Sequence, residues 1–298
     1  MNASRHGAVA AWWRVQKGDL AKDAMIGFLV GIVLFLGACW WDARLQARQD
    51  ALATAIADRQ DGLARDLANQ AEVLENIRFV RQIATSREKT AKPFASINLQ
   101  GAELAGLFLT CADVRHHVGC ADFSKANLHE ANLTQTKLDG ADLRQADLRN
   151  ANLTLAAFGD AGLMEANLDG VVTREPGGNL GGGASFRDAV LVGATLVHAQ
   201  IDHSDFTDAM VGGANASEAG LSYGNFRRAD LVRARFNHAD LRNANFRRAH
   251  MTHVDMTSAD LRGADFTHAE LRGAVLTDVC FDATTIWGSN SPPASSSC

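Results

Sequence analysis

Aromatic residues other than phenylalanine are scarce in this sequence, which limits the kinds of site it can build. The 298 residues include a single tyrosine, and the five tryptophans lie near the N-terminus or close to the C-terminal end. Tyrosine and tryptophan supply many of the anchors of interface hot spots. The net charge of -5, with 21% charged residues, describes an ordinary acidic surface. Direct binding of nucleic acid is therefore not expected.

Recognisable catalytic patterns are also missing. No Ser-His-Asp or Cys-His arrangement can be placed in the sequence. The glycine-rich stretch GGNLGGG at 177–183 lacks the Lys-Ser/Thr that follows in a phosphate-binding loop. We therefore expect neither enzyme activity nor a cofactor.

An uncharged run lies near the N-terminus. Residues 24–41 read AMIGFLVGIVLFLGACWW. Eighteen residues form about 27 Å of helix, close to the roughly 30 Å of a bilayer's hydrocarbon core. Trp40 and Trp41 fall where an aromatic belt is expected. The run predicts a single transmembrane helix, and a buried core helix is the alternative. No A-x-A site follows it directly, which disfavours a cleaved signal peptide.

The residues around this run bear on the kind of anchor and its orientation. The sequence LGAC at 36–39 resembles a bacterial lipobox, so lipid attachment at Cys39 is an alternative anchor. Three basic residues of the polar segment 1–23 precede the run closely and two follow it: Arg14, Lys17 and Lys22, then Arg44 and Arg48. This excess predicts a cytoplasmic N-terminus, with the rest of the chain outside.

Residues 42–92 have the apolar spacing of a helix. The stripe consists of Leu45, Leu52, Ile56, Leu63, Leu67, Leu74, Ile77 and Val80. Spacings of three, four and seven predict a helical stalk, a weak coiled coil able to form a homodimer. A helix docked on the end of the following domain is the alternative. Pro93 is expected to stop the helix.

From residue 186 onward, a hydrophobic residue recurs at every fifth position up to Ile286, with Ala216 as the weakest member. A small residue, usually alanine, stands two positions before each, and Asp or Asn often lies between them, as in Ala229-Asp230-Leu231. A period of five fits neither an α-helix nor a flat strand. Such a repeat indicates one structural unit that is copied and stacked.

A second period of twenty is carried by phenylalanine, at Phe186, Phe206, Phe226, Phe246 and Phe266. If four five-residue units form one square coil, these rings stack in a column inside the lumen. The A-(D/N)-L-x-x pattern of residues 94–288 resembles the pentapeptide-repeat family. The resemblance implies an all-β solenoid, a right-handed quadrilateral β-helix. The segment 72–81 also resembles a stretch that precedes the repeats in actinobacterial membrane-linked members.

Each unit predicts its own burial. The central Leu or Phe and the alanine two positions before it are expected to face inward, and the other three residues to face water. About 35 units form roughly nine coils, or about 40 Å at the spacing of paired strands. Insertions at 115–120 and 173–183 interrupt the repeat, and the tail 289–298 is expected to be disordered.

Four cysteines outside the apolar run allow two disulfides. Cys111 and Cys120 could close the first insertion, and Cys280 and Cys298 could hold the tail. Free thiols are the second interpretation. A zinc site formed by Cys111, His116, His117 and Cys120 is the third, because adjacent histidines suit one tetrahedral ion poorly.

Residues 221–250 hold seven arginines and two aspartates, a local charge of +5. The seven are Arg227, Arg228, Arg233, Arg235, Arg242, Arg247 and Arg248. They form either a binding patch for an acidic partner or an ordinary surface offset by Asp230, Asp240 and asparagines. The sequence thus predicts a non-catalytic scaffold at a membrane. The family resemblance raises the DNA-mimicking, gyrase-binding role of some members as the alternative; an enzyme is the least favoured class.

Overall fold

The computed structural model describes residues 4–85, 92–113, 118–173, 182–294 and 298, in two compact units divided between Ala68 and Asn69. Helix α1 spans Ser4–Thr85 and so has residues in both units. The predicted transmembrane helix and stalk are therefore parts of one helix. The described part of this helix extends to Thr85, residues 86–91 lie outside the described part, and Pro93 belongs to a strand.

In the first unit, α1 contains the uncharged run. From Met25 onward the helix is long and apolar enough to cross a membrane, although a signal sequence would meet the same criteria. Its large apolar side chains are exposed, as at Phe28 (70%) and Phe35 (69%). The side chains of Arg14, Lys17 and Lys22 lie outside the described residues, so the predicted charge asymmetry has no structural counterpart here.

The second unit is dominated by a solenoid of parallel bridges. Its two short strands, β1 (Lys92–Pro93) and β2 (Ala121–Asp122), pair in parallel. Beyond them, residues twenty apart bridge one another, as Asp205 does Asn225. The insertion around 174–181 lengthens one coil, so that Ala157 bridges Ser185. We number the four faces by the central residues of one coil: Phe226 on face 1, Leu231 on face 2, Phe236 on face 3 and Leu241 on face 4.

The backbone of each five-residue unit combines one bridge with one tight turn. The Phe226 amide donates to the Asn245 carbonyl of the next coil at 2.8 Å. The Ala229 amide then donates back to the Phe226 carbonyl at 3.1 Å, while Arg228 has a φ of 59°. A hydrogen bond across four residues with positive φ at the third defines a type II turn. The second residue after the central one therefore has a left-handed backbone conformation, and glycine occupies this position at Gly193 (φ 68°).

The predicted inward register is observed through most of the solenoid. Central residues such as Leu143 and Leu231 are fully buried, as are the alanines two positions before them. The phenylalanine column of face 1 is also present, with centroid separations from 4.8 Å (Phe186 to Phe206) to 5.1 Å (Phe246 to Phe266). Phe158 extends the column at its beginning, stacked 5.1 Å from Phe186.

The register prediction is wrong at the C-terminal end. Asp265 bridges Ile286, twenty-one residues later, because the last coil contains one additional residue. Ile286 is therefore outward and 50% exposed. Trp287 takes the inward place and stacks on Phe266 with a centroid separation of 5.0 Å.

The N-terminal end of the solenoid contacts the last turns of α1. Within the second unit, Val80 is fully buried, and the ring of Phe79 contacts that of Phe94 edge-on at 5.7 Å. Asn76 Nδ2 donates to the Asn98 carbonyl at 2.9 Å, and an Arg81 guanidinium nitrogen donates to the Glu103 carbonyl at 2.7 Å. For residues 69–85, the docked-helix alternative therefore describes the structure, and Phe94 begins the lumen one unit before Leu99.

Candidate binding surface

The seven arginines of the predicted patch are spread around the solenoid. Arg227, Arg228, Arg247 and Arg248 occupy the turn between faces 1 and 2 in two adjacent coils. The other three lie elsewhere: Arg233 after face 2, Arg235 on face 3 and Arg242 on face 4. One flat partner cannot contact all seven. We call the group of four the arginine corner.

Some of these arginines are neutralised within the chain. In the arginine corner, Arg228 forms a bidentate ion pair with Asp208 of the preceding coil. Arg247 Nη1 lies 3.0 Å from Asp265 Oδ2 of the following coil. Outside the corner, Arg242 pairs with Asp240 two residues before it, at 2.6 Å. Asp240 therefore offsets an arginine, as the alternative interpretation required. Asp230 accepts a hydrogen bond from the Val232 amide at 3.1 Å but forms no ion pair with any described residue.

Two members of the arginine corner have no such partner. Among the described residues, neither Arg227 nor Arg248 forms an ion pair, and both are exposed. Arg233 and Arg235 are likewise without an ion pair in the described ranges, but they lie on separate faces. The corner therefore presents two free guanidinium groups on adjacent coils, with two neutralised ones beside them.

The same turn carries the opposite charge in earlier coils. On face 1, the position two residues after the central phenylalanine is held in successive coils by Asp160, Asp188, Asp208, Arg228, Arg248 and His268. Charge therefore changes sign between Asp208 and Arg228. The hydrogen bond from Arg228 lowers the pKa of Asp208, and Arg228 itself has a raised pKa for the same reason. Both groups are thus charged at neutral pH.

Aspartate at the outward bridge position has a local structural role. The Asp240 carboxylate accepts a hydrogen bond from the Arg242 amide at 3.1 Å as well as from its guanidinium. Burial raises the pKa of Asp240, but the hydrogen bonds and charge of Arg242 outweigh this effect, so the pKa is lowered overall. Asp142 with Arg144 and Asp260 with Arg262 repeat the arrangement. Such carboxylates hold turns and are not paired for acid–base chemistry.

Both predicted cysteine pairs lie at bonding distance. The sulfurs of Cys111 and Cys120 are 2.01 Å apart, and those of Cys280 and Cys298 are 2.03 Å apart. Cys39 is a free thiol. His116 and His117 of the zinc interpretation lie outside the described residues. The tail is also held by Asn290, whose Nδ2 donates to the Ala269 carbonyl at 3.1 Å.

Thiol alkylation measures this cysteine state directly. In the denatured, unreduced full chain we expect one modified cysteine, Cys39, because a disulfide sulfur does not react as a thiolate does. Reduction before alkylation should raise the count to all five cysteines of the sequence. Intact mass spectrometry gives both counts. Modification of three or more cysteines without reductant would mean that at least one disulfide is absent.

Comparison with known proteins bears on the fold. A family model described as pentapeptide repeats matches in eight copies, over residues 120–154, 182–208, 212–248, 239–278 and 249–288. No curated protein sequence is detectably similar to the chain.

Three solved structures illustrate the likeness. HetL, a pentapeptide repeat protein involved in heterocyst differentiation regulation from the cyanobacterium Nostoc sp. strain PCC 7120, is 23% identical, covering 69% of this chain and 96% of HetL with a TM-score of 0.33. A trypsin-treated variant of QnrB1, a plasmid-mediated fluoroquinolone resistance protein, is 16% identical, covering 65% and 91% with a TM-score of 0.34. A pentapeptide repeat protein from the Arabidopsis thaliana thylakoid lumen is 26% identical, covering 42% and 70% with a TM-score of 0.19.

Because these TM-scores lie below 0.5, the family assignment depends on the matched repeats and on the coils themselves. The matched segments coincide with bridges twenty residues apart, with buried central residues and with a turn after each of them. These features are those of a right-handed β-helix solenoid built from five-residue units. The chain belongs to the pentapeptide repeat family.

Proposed function

We propose that this chain is a non-catalytic scaffold, held at a membrane by residues 24–41, whose β-helix binds an acidic partner at the arginine corner. The observation that carries the proposal is the pair of exposed arginines without ion-pair partners, Arg227 and Arg248, on adjacent coils. Guanidinium groups suit carboxylates and phosphates because their donors form a planar fork.

The lumen supports a binding role over a catalytic one. Its central positions from Leu99 to Phe266 are filled mostly by leucine and phenylalanine, and nearly all of them are inaccessible to solvent. A substrate pocket requires a concave, partly open cavity. A partner would therefore contact the outer faces, where the charged side chains stand.

The gyrase-binding, DNA-mimicking alternative requires an outer surface that is acidic without interruption. Face 1 has an acidic turn for three coils, from Asp160 to Asp208, and then becomes basic at Arg228. This change of sign favours an acidic partner at one end of the face over a mimic of the DNA backbone.

The two disulfides support the proposed orientation. Disulfides persist in oxidising compartments and are rare in the cytosol. Cys111–Cys120 and Cys280–Cys298 both belong to the second unit. A β-helix outside the cytoplasm, with the N-terminus inside, agrees with both the disulfides and the basic residues before the apolar run.

Charge reversal tests the arginine corner. In pull-downs with the full chain, we expect the double substitution Arg227→Glu with Arg248→Glu to abolish partner recovery. Binding of the wild type should also weaken steeply with salt, because exposed charges are screened over about 8–10 Å at physiological ionic strength. The melting temperature should barely change, since neither arginine has an ion pair among the described residues to lose.

Arg235→Glu provides a matched control. It makes the same change of charge per residue, at one exposed arginine that has no ion pair in the described part of the chain, but it lies on face 3. It should recover the same partners as the wild type. Equal recovery by the wild type and the double variant would show that the arginine corner is not the binding surface.

A further inference from the structure

An apolar patch interrupts the polar outer surface on face 2. Its side chains occupy outward positions in four consecutive coils: Met164, Val190, Val192, Met210 and Val232. Met164, Val192 and Met210 are 42%, 39% and 46% exposed. We call these five residues the apolar patch.

Glycines complete the two central coils of the apolar patch. The remaining outward positions there are Gly193, Gly212 and Gly213. Apart from Asp188 and Asp208 at one edge, no polar side chain of these two coils therefore projects from face 2, and the surface is flat enough for another backbone to approach. Contiguous exposed apolar patches are typical of contact sites, whereas single exposed apolar residues are ordinary.

Charged residues of opposite sign flank the apolar patch. Glu165 lies in the coil before the two central coils, and Arg233 lies in the coil after them. Both occupy the same turn position, with φ values of 57° and 60°. Glu165 accepts a hydrogen bond from Gln145 Nε2 at 2.8 Å. Arg233 forms no ion pair with any described residue. On the opposite edge of face 2, Asp160 likewise lies in the coil before the two central coils, and Arg228 lies in the coil after them.

This arrangement is complementary to itself. Consider a two-fold axis lying across face 2, perpendicular to the solenoid, between the coils of Val190 and Met210. Rotation about it reverses the order of the coils but keeps each edge of the face on its own side. Val190 then meets Met210 of the second copy, and Met164 meets Val232.

The same rotation brings opposite charges together at both edges. Glu165 meets Arg233 of the second copy on one edge, and Asp160 meets Arg228 on the other. Each pair occurs twice, as two-fold symmetry requires. We propose that the apolar patch is the interface of an antiparallel dimer, in which a second copy of this chain packs face 2 against face 2.

One pairing across the axis is unfavourable, because Asp188 faces Asp208 of the second copy, and it too occurs twice. Its cost is reduced by the Arg228 guanidinium that already pairs with Asp208. A lipid surface fits the patch less well, since anionic head groups would repel the acidic flank formed by Asp160 and Glu165. Binding of a different protein would not account for the order of charges along the coils, in which acidic residues before the centre of the patch match basic residues after it.

The area of one narrow face implies modest affinity. Interfaces at the small end of the size range are weak and reversible. We therefore expect dimerisation to depend on concentration and on salt. The oligomeric state must be measured across a wide concentration range, with the full chain in a mild non-ionic detergent.

Charge exchange at the flanks tests the dimer by sedimentation equilibrium. Glu165→Arg and Arg233→Glu should each raise the dimer dissociation constant by about tenfold or more, because each places two like-charged pairs in the interface. Combining the two substitutions restores opposite charges and should return the constant to within about threefold of the wild type. Glu218→Arg, at an exposed left-handed turn position on face 3, is the matched control and should have no effect.

A cross-link gives an independent reading in the Cys39→Ser background. Copies carrying only Met164→Cys, mixed with copies carrying only Val232→Cys, should form a disulfide-linked dimer on oxidation, whereas Met164→Cys mixed with Glu218→Cys should not. A monomeric wild type at every concentration would overturn the proposal. So would a dimer insensitive to the single reversals, as expected if α1 alone joins the copies, or single reversals that the combined variant fails to rescue.

Discussion

Replacing Phe226 with alanine is expected to lower the free energy of unfolding of the β-helix by about 3–5 kcal/mol. The ring is 1% exposed and lies between Phe206 at 4.8 Å and Phe246 at 5.0 Å, with Phe236 edge-on at 5.9 Å. Its removal leaves a cavity that stacked coils cannot close, because backbone hydrogen bonds fix their spacing. Urea denaturation followed by circular dichroism measures the loss.

Arg227→Ala is the matched control for this substitution. It removes the next side chain along the chain, which points outward and forms no ion pair with the described residues. Surface substitutions of this kind usually change stability by less than about 0.5 kcal/mol. Equal losses from the two variants would mean that residue 226 does not face the lumen. Phe226→Leu, which keeps most of the apolar volume, should lie between the two.

The inward register was predictable because the five-residue period leaves the chain little freedom. A shift of one residue would place Asp230 or Arg228 in the lumen, at the cost of burying an unpaired charge. The column of five phenylalanines followed from the same period, since residues twenty apart can lie above one another only if a coil holds twenty residues. The structure confirms both predictions over Phe186 to Phe266.

Interruptions of the period account for what the sequence concealed. Phe158 belongs to the phenylalanine column, but the insertion around 174–181 separates it from Phe186 by twenty-eight residues. Likewise, because the last coil has one additional residue, Trp287 takes the inward position that the five-residue period had assigned to Ile286. In both places an aromatic ring lies at the end of the stack. The additional residue near the C-terminal end is accommodated at the turn of residues 283–284, where additional residues cost little.

The charge pattern could be read only in part. The sequence located the arginines, but their partners depend on which coil each side chain reaches. Arg242 returns to Asp240 of its own unit, Arg228 reaches the preceding coil and Arg247 the following one. The apolar patch of face 2 also escaped notice, because Val190 and Met210 stand at positions that usually hold Asp or Asn. A stacked map of outward positions would have revealed it.

The full chain is expected to sediment with membranes and to resist extraction by carbonate and by high salt. The run at 24–41 has no charge, and its large side chains, such as Leu34 at 68%, are not covered by any described part of the protein. Apolar surface of this extent is unstable in water. Deleting residues 1–68, which leaves the compact unit from Asn69 onward, should convert the protein to a soluble form.

Two further variants identify what holds the protein at the membrane. Deleting residues 2–23 removes the basic leader but keeps the apolar run, so membrane association should persist. Replacing Ile32 and Val33 with arginine should release the protein, because a charge at the centre of a spanning helix costs about 2.5–3.5 kcal/mol by insertion measurements. A soluble full-length protein, or release by salt alone, would rule out a spanning helix. Mass spectrometry then separates the remaining cases: an intact N-terminus means a spanning helix, a lipidated Cys39 at the mature N-terminus means a lipoprotein, and cleavage after the run without lipid means a signal peptide.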